Sequence, residues 1–131
     1  MIYVDSSAIA KLILTEPESA ALREYVAVGT LASSAILRTE LPRAVARREP
    51  AKLVEAMQLL HRVALLSADD AVLDSAARLG PPSLRSLDAI HLASALELRD
   101  ELTAFVAYDE RLLDAASALG LPVASPGLER T

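Results

Sequence analysis

Four carboxylates that lie far apart along the chain are the residues best suited to chemistry. Asp5 directly follows the β-prone run 2–4, and Asp109 lies just past a second β-prone run, 103–107. In an open α/β sheet, ligands bind outside the carboxyl ends of the strands. The positions of these two aspartates therefore predict that they share one edge of a sheet.

The other two carboxylates, Glu40 and Asp88, interrupt the apolar faces of predicted helices. Asp and Glu are almost never fully buried unless they are paired, so an acid on an inward face is unusual. The residues that share these faces at helical spacing are Ile36, Leu37, Leu41 and Ala44 around Glu40, and Leu84, His91, Leu92 and Ala95 around Asp88. This pattern favours carboxylates that are held at a site.

Each carboxylate has a second interpretation when it is taken alone. Asp5 and Asp109 are both suited to cap the helix that follows them. Asp88 lies near the start of its helix, where the helix dipole favours an acid. Glu40 could pair with an arginine of its own helix on a solvated face. These interpretations do not explain why two acids interrupt apolar faces while two others follow strands.

Converging carboxylates repel one another and need a cation to stay ionised together. A set of Asp and Glu with little His and no Cys favours Mg²⁺ or Mn²⁺ over Zn²⁺. A bound dication of this kind can activate a water molecule, orient a phosphate and stabilise the charge on a leaving oxygen. The chemistry that these residues predict is therefore metal-dependent hydrolysis of a phosphate ester.

Composition and charge limit the other classes of function. The chain has 131 residues, is 53% hydrophobic and only 3% aromatic, and contains no cysteine, which excludes disulfides and thiolate metal sites. Its net charge of −5 is the opposite of the usual nucleic-acid footprint, so a nucleic-acid enzyme would need bound cations to neutralise its acids. Base stacking on an aromatic platform is not expected.

The compartment follows from what the sequence lacks. Charged residues interrupt every apolar stretch well short of the roughly 18 residues that a membrane span needs. The first residues lack the basic start and cleavage site of a signal peptide. We therefore expect a cytoplasmic protein with no membrane partner.

Short apolar strands alternate with helices along the whole chain, which predicts a parallel sheet wrapped by helices in one domain over residues 1–131. Ser67 with Asp70 resembles a capping box for one helix, and Pro122 marks the last strand as an edge strand. The tail from Ser125 is expected to be loose. The predicted strands are 2–4, 31–33, 63–66, 103–107 and 121–124; the predicted helices are 8–14, 17–29, 35–48, 51–62, 67–80, 84–98 and 110–119.

The residues around the four acids resemble those of the PIN-domain ribonucleases, in particular the VapC toxins of bacterial toxin–antitoxin pairs. The resemblance covers nearly the whole chain, in the family's order and spacing. The matching segments are Tyr3-Val4-Asp5-Ser6-Ser7-Ala8, Thr39-Glu40-Leu41, Leu87-Asp88-Ala89-Ile90-His91-Leu92-Ala93 and Tyr108-Asp109-Glu110-Arg111-Leu112.

The resemblance implies a three-layer α/β sandwich whose central parallel sheet has four to five strands. It implies Mg²⁺- or Mn²⁺-dependent cleavage of single-stranded RNA with water as the nucleophile. Asp5, Glu40 and Asp88 match the family's metal-binding core, Asp109 matches a more variable fourth acid, and Ser6 matches a supporting hydroxyl. The implied partners are an RNA substrate, a cognate VapB-like antitoxin and a second copy of the chain in a homodimer.

Several further residues have two open interpretations each. Lys11 and Arg85 are either phosphate contacts or solvated charges. His91, one helical turn after Asp88, either orients that acid or is a satisfied, semi-buried histidine, and the second interpretation is favoured. The basic set of Arg38, Arg43, Arg47 and Arg48 is either an RNA track or an ordinary exposed face. The apolar set of Leu12, Leu14, Leu22 and Val26 is either a core seam or a contact surface for a partner, which would be a second copy of the chain or the antitoxin.

Two other functions compete with the nuclease. The first is a non-catalytic module of the same fold that binds RNA or protein. The second is a phospho-accepting receiver-like domain, which the sequence disfavours because Asp5 has no acidic neighbour of the expected kind and no lysine follows a late strand.

Overall fold

A computed structural model describes residues 1–128 and shows a five-stranded sheet in which every strand pair is parallel. The first strand lies at the centre, and the order across the sheet is β3-β2-β1-β4-β5. The strands are β1 (Ile2–Val4), β2 (Leu31–Ser34), β3 (Ala64–Leu66), β4 (Ala104–Val106) and β5 (Val123–Ala124). The edge position expected for the last strand is confirmed.

Within residues 1–128, seven α-helices connect these strands and cover the sheet. Two short 3₁₀ turns, Pro50–Lys52 and Arg99–Glu101, join the longer elements. The helices are α1 (Ser6–Ala10), α2 (Ser19–Val26), α3 (Leu37–Arg48), α4 (Leu53–Leu60), α5 (Asp70–Ala77), α6 (Ser86–Glu97) and α7 (Glu110–Ala118).

The central strand β1 sends alternate side chains into two separate cores, as the period of a strand requires. Ile2 and Val4 pack with α1 to α4 on one face of the sheet, whereas Tyr3 packs with α5 to α7 on the other. Tyr3 stacks on Phe105 of β4, with ring centroids 5.4 Å apart and planes inclined by 6°. Helices on both faces of a parallel sheet make the predicted three-layer α/β sandwich.

Some local predictions were wrong. The helix α5 is capped by Asp69, whose side chain accepts from the Val72 N–H at 3.0 Å, and not by the predicted box of Ser67 with Asp70. The tail is held over residues 125–128, because the Ser125 hydroxyl donates to the Ala107 carbonyl at 2.8 Å. The rest of that tail, 129–131, lies outside the described residues.

The sequence predicts no membrane-spanning segment. Within residues 1–128, each helix is too short or too polar to cross a lipid bilayer.

Packing of α3 against the sheet holds Glu40 in place. Its neighbour Leu41 is fully buried in the core, and truncation of such a leucine leaves a cavity. We expect Leu41→Ala to lower the free energy of unfolding by about 2–5 kcal/mol, measured by urea denaturation. Leu73→Ala on α5, where the side chain is 42% exposed, is the matched control and should cost much less. Equal losses for the two variants would contradict the packing described here.

Candidate active site

Asp5 lies where β1 ends and α1 begins. Its backbone N–H donates to the carbonyl of Val106 at 3.2 Å, which ties it to the carboxyl end of β4. Its side chain caps α1 by accepting from the Ala8 N–H at 2.9 Å, and it accepts from the Ser7 hydroxyl at 3.1 Å. The carboxylate is therefore both a helix cap and a fixed group at the carboxyl edge of the sheet.

Arg85 links the two carboxylates Asp88 and Asp109. Asp109 caps α7 by accepting from the Leu112 N–H at 3.1 Å, and Asp88 lies in the first turn of α6. The Arg85 Nε donates to Asp88 Oδ2 at 3.1 Å, and its Nη2 lies 3.7 Å from Asp109 Oδ2. A guanidinium thus supplies positive charge to this pair of acids.

Glu40 is held by side chains from two other helices. The Ser6 hydroxyl, on α1, donates to Glu40 Oε1, and His91 Nε2, on α6, lies 3.0 Å from the same oxygen. His91 Nε2 is also 2.9 Å from the Ser6 oxygen, and its Nδ1 is 2.8 Å from the hydroxyl of Tyr3. Within the described residues, these partners replace the arginine of α3 that the sequence offered as an alternative.

All four carboxylates line one cleft of about 680 Å³ at the carboxyl edge of the sheet. The structure therefore brings together Asp5, Glu40, Asp88 and Asp109, which come from four different segments of the chain. Three arginines line the same cleft: Arg43 and Arg47 from α3, and Arg85. The cleft combines carboxylates with guanidinium groups, which suits a polyanionic ligand whose reacting atoms need a cation.

The carboxylates Asp5 and Glu40 have opposite electrostatic environments. Burial raises the pKa of Asp5 from its ordinary value of 3.8 to about 6, against the opposing effects of His91 and the Ala8 N–H; nearby Asp88 adds to the rise. Burial acts in the same direction on Glu40, but hydrogen bonds from His91 and Ser6 outweigh it and hold the pKa of Glu40 below its ordinary value. Glu40 is therefore stabilised as a carboxylate, whereas Asp5 is not.

The cleft does not present a closed set of metal ligands. Among residues 1–128, no three His, Asp or Glu side chains are arranged so that they could hold one ion between them. Glu40 is turned to His91 and Ser6, and Asp88 to Arg85. The oxygen chemistry of the donors suits Mg²⁺, which usually takes one or two carboxylates and keeps several waters.

The structure shows the surroundings of His91 and Lys11, whose roles the sequence left open. His91 is a satisfied histidine, buried to 1% exposure, but its partner is Glu40 and not Asp88. Lys11 lies against Glu16 and Glu18, and its ammonium is 4.8 Å from the centre of the Tyr108 ring. Neither placement was evident from helical spacing.

The basic set on α3 divides in two, whereas the apolar set stays together in the core. Arg43 and Arg47 line the cleft, whereas Arg48 forms an ion pair with Glu16 at 3.2 Å and Arg38 does not line the cleft. In the apolar set, Leu14 and Leu22 are core residues and Leu12 and Val26 pack against them half-buried, so the seam belongs to the core.

Sequence reasoning missed Tyr3 as a site residue. Its phenol reaches His91 from the buried strand β1, and the two rings meet edge to face at 5.8 Å between centroids. The only available signal was a polar atom in an otherwise aliphatic strand, because a buried Tyr hydroxyl needs a hydrogen-bond partner.

The raised pKa of Asp5 predicts a pH dependence of stability. Between about pH 4 and pH 6 the folded state binds this proton more tightly than the unfolded chain, so stability falls as the pH rises through that range. Asp5→Asn mimics the protonated acid and should match the wild type below pH 4. Above pH 6 without divalent metal, it should be more stable by roughly 1 to 3 kcal/mol.

Urea denaturation of both proteins from pH 4 to pH 8 measures this difference directly. The groups that face Asp5, His91 and Asp88, are present in both proteins, so the subtraction isolates the single carboxyl. A difference in stability that stays constant across the range would show that Asp5 titrates normally.

Comparison with known proteins gives a consistent result. The sequence model of the PIN-domain family matches residues 2–118 of this chain. Ribonuclease VapC47 of Mycobacterium tuberculosis (strain CDC 1551 / Oshkosh) is 43% identical over 136 residues, which cover 99% of this chain and 100% of the relative. Ribonuclease VapC46 of M. tuberculosis (strain ATCC 25618 / H37Rv) is 44% identical over 126 residues, covering 95% and 97%.

Solved structures share the fold at lower sequence identity. The sarcin–ricin-loop-cleaving toxin VapC20 of M. tuberculosis superposes with a TM-score of 0.73 at 19% identity, over 96% of this chain and 100% of that chain. A chain of FitAB bound to an IR36 DNA fragment superposes with a TM-score of 0.72 at 17% identity, over 100% and 99%. With the family model and the relatives, these findings show that the chain belongs to the PIN-domain family, among the VapC ribonucleases.

Proposed function

We propose that this chain is the toxin of a type II toxin–antitoxin pair and acts as an endoribonuclease that depends on Mg²⁺ or Mn²⁺. The observation that carries the proposal is the convergence of Asp5, Glu40, Asp88 and Asp109 on one arginine-flanked cleft. The names of its relatives, which are ribonucleases, support the choice of RNA as substrate. We also propose that residues 1–131 form one domain.

The carboxylates of the cleft are the proposed metal ligands. Asp5, Glu40 and Asp88 form the core of the set, and Asp109 has a supporting role. Their donors are hard oxygens, and Asp5 in particular is a buried carboxyl that a nearby dication would keep ionised. Mg²⁺ or Mn²⁺ at this position supplies the activation of a water and the stabilisation of charge on the leaving oxygen.

The protein's own groups position the reactants. Ser6 and His91 hold Glu40 in its ionised form, and the cap on α1 fixes the direction of Asp5. Arg43 and Arg47 lie along the cleft wall on α3, one helical turn apart, where they can contact successive phosphates of an RNA strand. Recognition then depends on the backbone and shape of the RNA.

The proposed partners extend beyond the RNA. Two structural neighbours are complexes with a DNA fragment: FitAB, and VapBC2 of Rickettsia felis, which matches with a TM-score of 0.64 at 14% identity. We propose a VapB-like antitoxin that covers the acidic cleft, a homodimer as the assembly, and the cytoplasm as the compartment.

Two other functions compete with the nuclease. A receiver-like domain is wrong, because the chain belongs to the PIN-domain family. A non-catalytic PIN-fold module that binds RNA or protein remains the alternative, and it differs from the nuclease in needing no carboxylate-dependent metal binding.

Replacing Asp5 tests the nuclease. We expect Asp5→Asn to abolish cleavage of single-stranded RNA in Mg²⁺ or Mn²⁺ and to weaken Mn²⁺ binding by at least tenfold in calorimetry, because one charged ligand is removed. Asp69→Asn is the matched control, since Asp69 is also a helix cap with a bond of 3.0 Å to a backbone N–H but lies outside the cleft.

The outcomes separate the two functions. Loss of cleavage in Asp5→Asn with normal activity in Asp69→Asn supports the nuclease. Full activity of Asp5→Asn in a preparation free of other nucleases would refute it. Mn²⁺ binding that is the same in both variants and in the wild type would favour the non-catalytic module.

Removing the cleft arginines tests the RNA track. For a single strand, each neutralised phosphate contributes about −0.7 to the slope of log K against log salt. Arg43→Ala and Arg47→Ala should each flatten that slope by about 0.7, measured by fluorescence anisotropy in an Asp5→Asn background so that the RNA stays intact. Arg62, which lies two residues before β3 and so near the amino end of that strand, is the control, and Arg62→Ala should leave the slope unchanged. A uniform effect of all three substitutions would show that the contacts are non-specific.

A further inference from the structure

Two polar side chains, Tyr3 and His91, are fully buried behind the carboxylates. Tyr3 is 0% exposed and His91 is 1% exposed, and both lie on the side of the sheet covered by α5 to α7. A buried polar group without a partner costs roughly 1–3 kcal/mol, so each must be hydrogen-bonded. The Tyr3 hydroxyl and His91 Nδ1 satisfy each other at 2.8 Å.

The hydrogen bonds at the cleft end of this series of polar groups determine which atom carries each proton. The Ser6 hydroxyl donates to Glu40 Oε1, so the Ser6 oxygen is available as an acceptor. An ionised carboxylate only accepts. His91 Nε2 lies 3.0 Å from Glu40 Oε1 and 2.9 Å from the Ser6 oxygen, so this nitrogen must carry a hydrogen that both oxygens share.

The other ring nitrogen is then determined. In the neutral form that we assign to His91, one nitrogen donates and the other accepts, so Nδ1 is the acceptor and the Tyr3 hydroxyl is its donor. Two nearby hydroxyls do not donate to this phenol, because Ser33 donates to the Val4 carbonyl at 2.7 Å and Ser94 donates to the Ile90 carbonyl at 2.8 Å. The chain of donors therefore runs from Tyr3 through His91 to the acid.

The Tyr3 ring is itself held rigidly. It stacks on Phe105 at 5.4 Å and meets the His91 ring edge to face at 5.8 Å. The ring packing needs no hydroxyl, because phenylalanine would fill the same space. The hydroxyl also lies near the hydroxyls of Ser33 and Ser94, and its bond to His91 Nδ1 is the one that bears on the proton of His91.

We propose that Tyr3 and His91 are positioning residues of the nuclease: Tyr3 holds His91 as the Nε2–H tautomer, and His91 in turn holds the Oε1 atom of Glu40 and the Ser6 hydroxyl in fixed positions at the cleft. This inference rests on the proposed function, because Glu40 is a metal ligand only in that function. Groups that orient metal ligands typically affect metal affinity by 10- to 100-fold when they are removed.

Nitrogen NMR of the histidine rings tests the tautomer directly. The chain has only two histidines, and His61→Gln removes the second one to assign the spectrum. At pH 8 without metal, we expect His91 to carry its proton on Nε2 in the wild type. In Tyr3→Phe the Nδ1 atom loses its donor, so the fraction of rings with the proton on Nε2 should fall, although the oxygens of Glu40 and Ser6 still favour that form. A wild-type ring protonated on Nδ1, or on both nitrogens, would overturn the proposal.

Calorimetry with Mn²⁺ tests whether the tautomer matters for the site. Tyr3→Phe should weaken Mn²⁺ binding about tenfold while leaving the aromatic stack in place. Tyr108→Phe is the matched control, because it removes a phenol that donates to the Pro126 carbonyl at 2.7 Å and so loses a comparable bond outside this chain of donors. Equal Mn²⁺ affinity of Tyr3→Phe and the wild type would overturn the proposal.

Two replacements of His91 separate positioning from packing. The amide nitrogen of glutamine can occupy the place of Nε2 and donate to Glu40, whereas the amide of asparagine reaches only the place of Nδ1. We expect His91→Gln to retain more Mn²⁺ affinity than His91→Asn, although both remove the ring. The reverse order, at matched urea stability, would show that the ring only fills space.

These measurements remain informative if the proposed function fails. Absence of both Mn²⁺ binding and RNA cleavage in the wild type would refute the nuclease and, with it, the positioning of a metal ligand. The NMR result would then still decide whether Tyr3 fixes the tautomer of His91. Normal Mn²⁺ binding and cleavage in the wild type, with both unaffected in Tyr3→Phe, would leave the nuclease intact and refute the inference alone.

Discussion

Repulsion between carboxylates is the constraint on which the rest of this site depends. The parallel sheet directs its strand ends to one edge, so the acid after β1 and the acid after β4 share a cleft with two further acids from helices. The repulsion is reduced in a different way at each acid. Asp5 has a raised pKa because burial disfavours its charge, Glu40 is stabilised by donors from two helices, and Asp88 and Asp109 share the guanidinium of Arg85.

This division gives Arg85 a specific part in the proposed function. Its side chain is 74% exposed, so its ion pairs to Asp88 and Asp109 are screened by water and worth little individually. A dication that took Asp88 as a ligand would compete with a weak, solvent-screened partner. The guanidinium that is released stays beside the cleft, where its planar fork suits a phosphate. One arginine can therefore serve the acids without metal and the substrate with it.

The sequence predicted the part of the site that depends on local rules. The strand ends located Asp5 and Asp109, and helical periodicity identified Glu40 and Asp88 as acids on inward faces. The order of strands and helices predicted the three-layer sandwich. Periodicity could not identify what each acid would meet, because it specifies a face and not the neighbour across it. Helical spacing therefore offered only Asp88, on the same helix, as an acid for His91 to orient, whereas the partner of His91 is Glu40, 51 residues away.

The net charge of −5 is a weak guide to what this surface binds, because charges act over a limited range. At physiological salt the screening length is about 8 Å, so a phosphate in the cleft responds mainly to the groups that line it. Those groups include three arginines, and the acids among them are the ones that the proposed dication would neutralise. Removing the metal would expose the RNA to four carboxylates at close range. In the proposed function, the metal would therefore determine whether the cleft attracts RNA, as well as the chemistry within it.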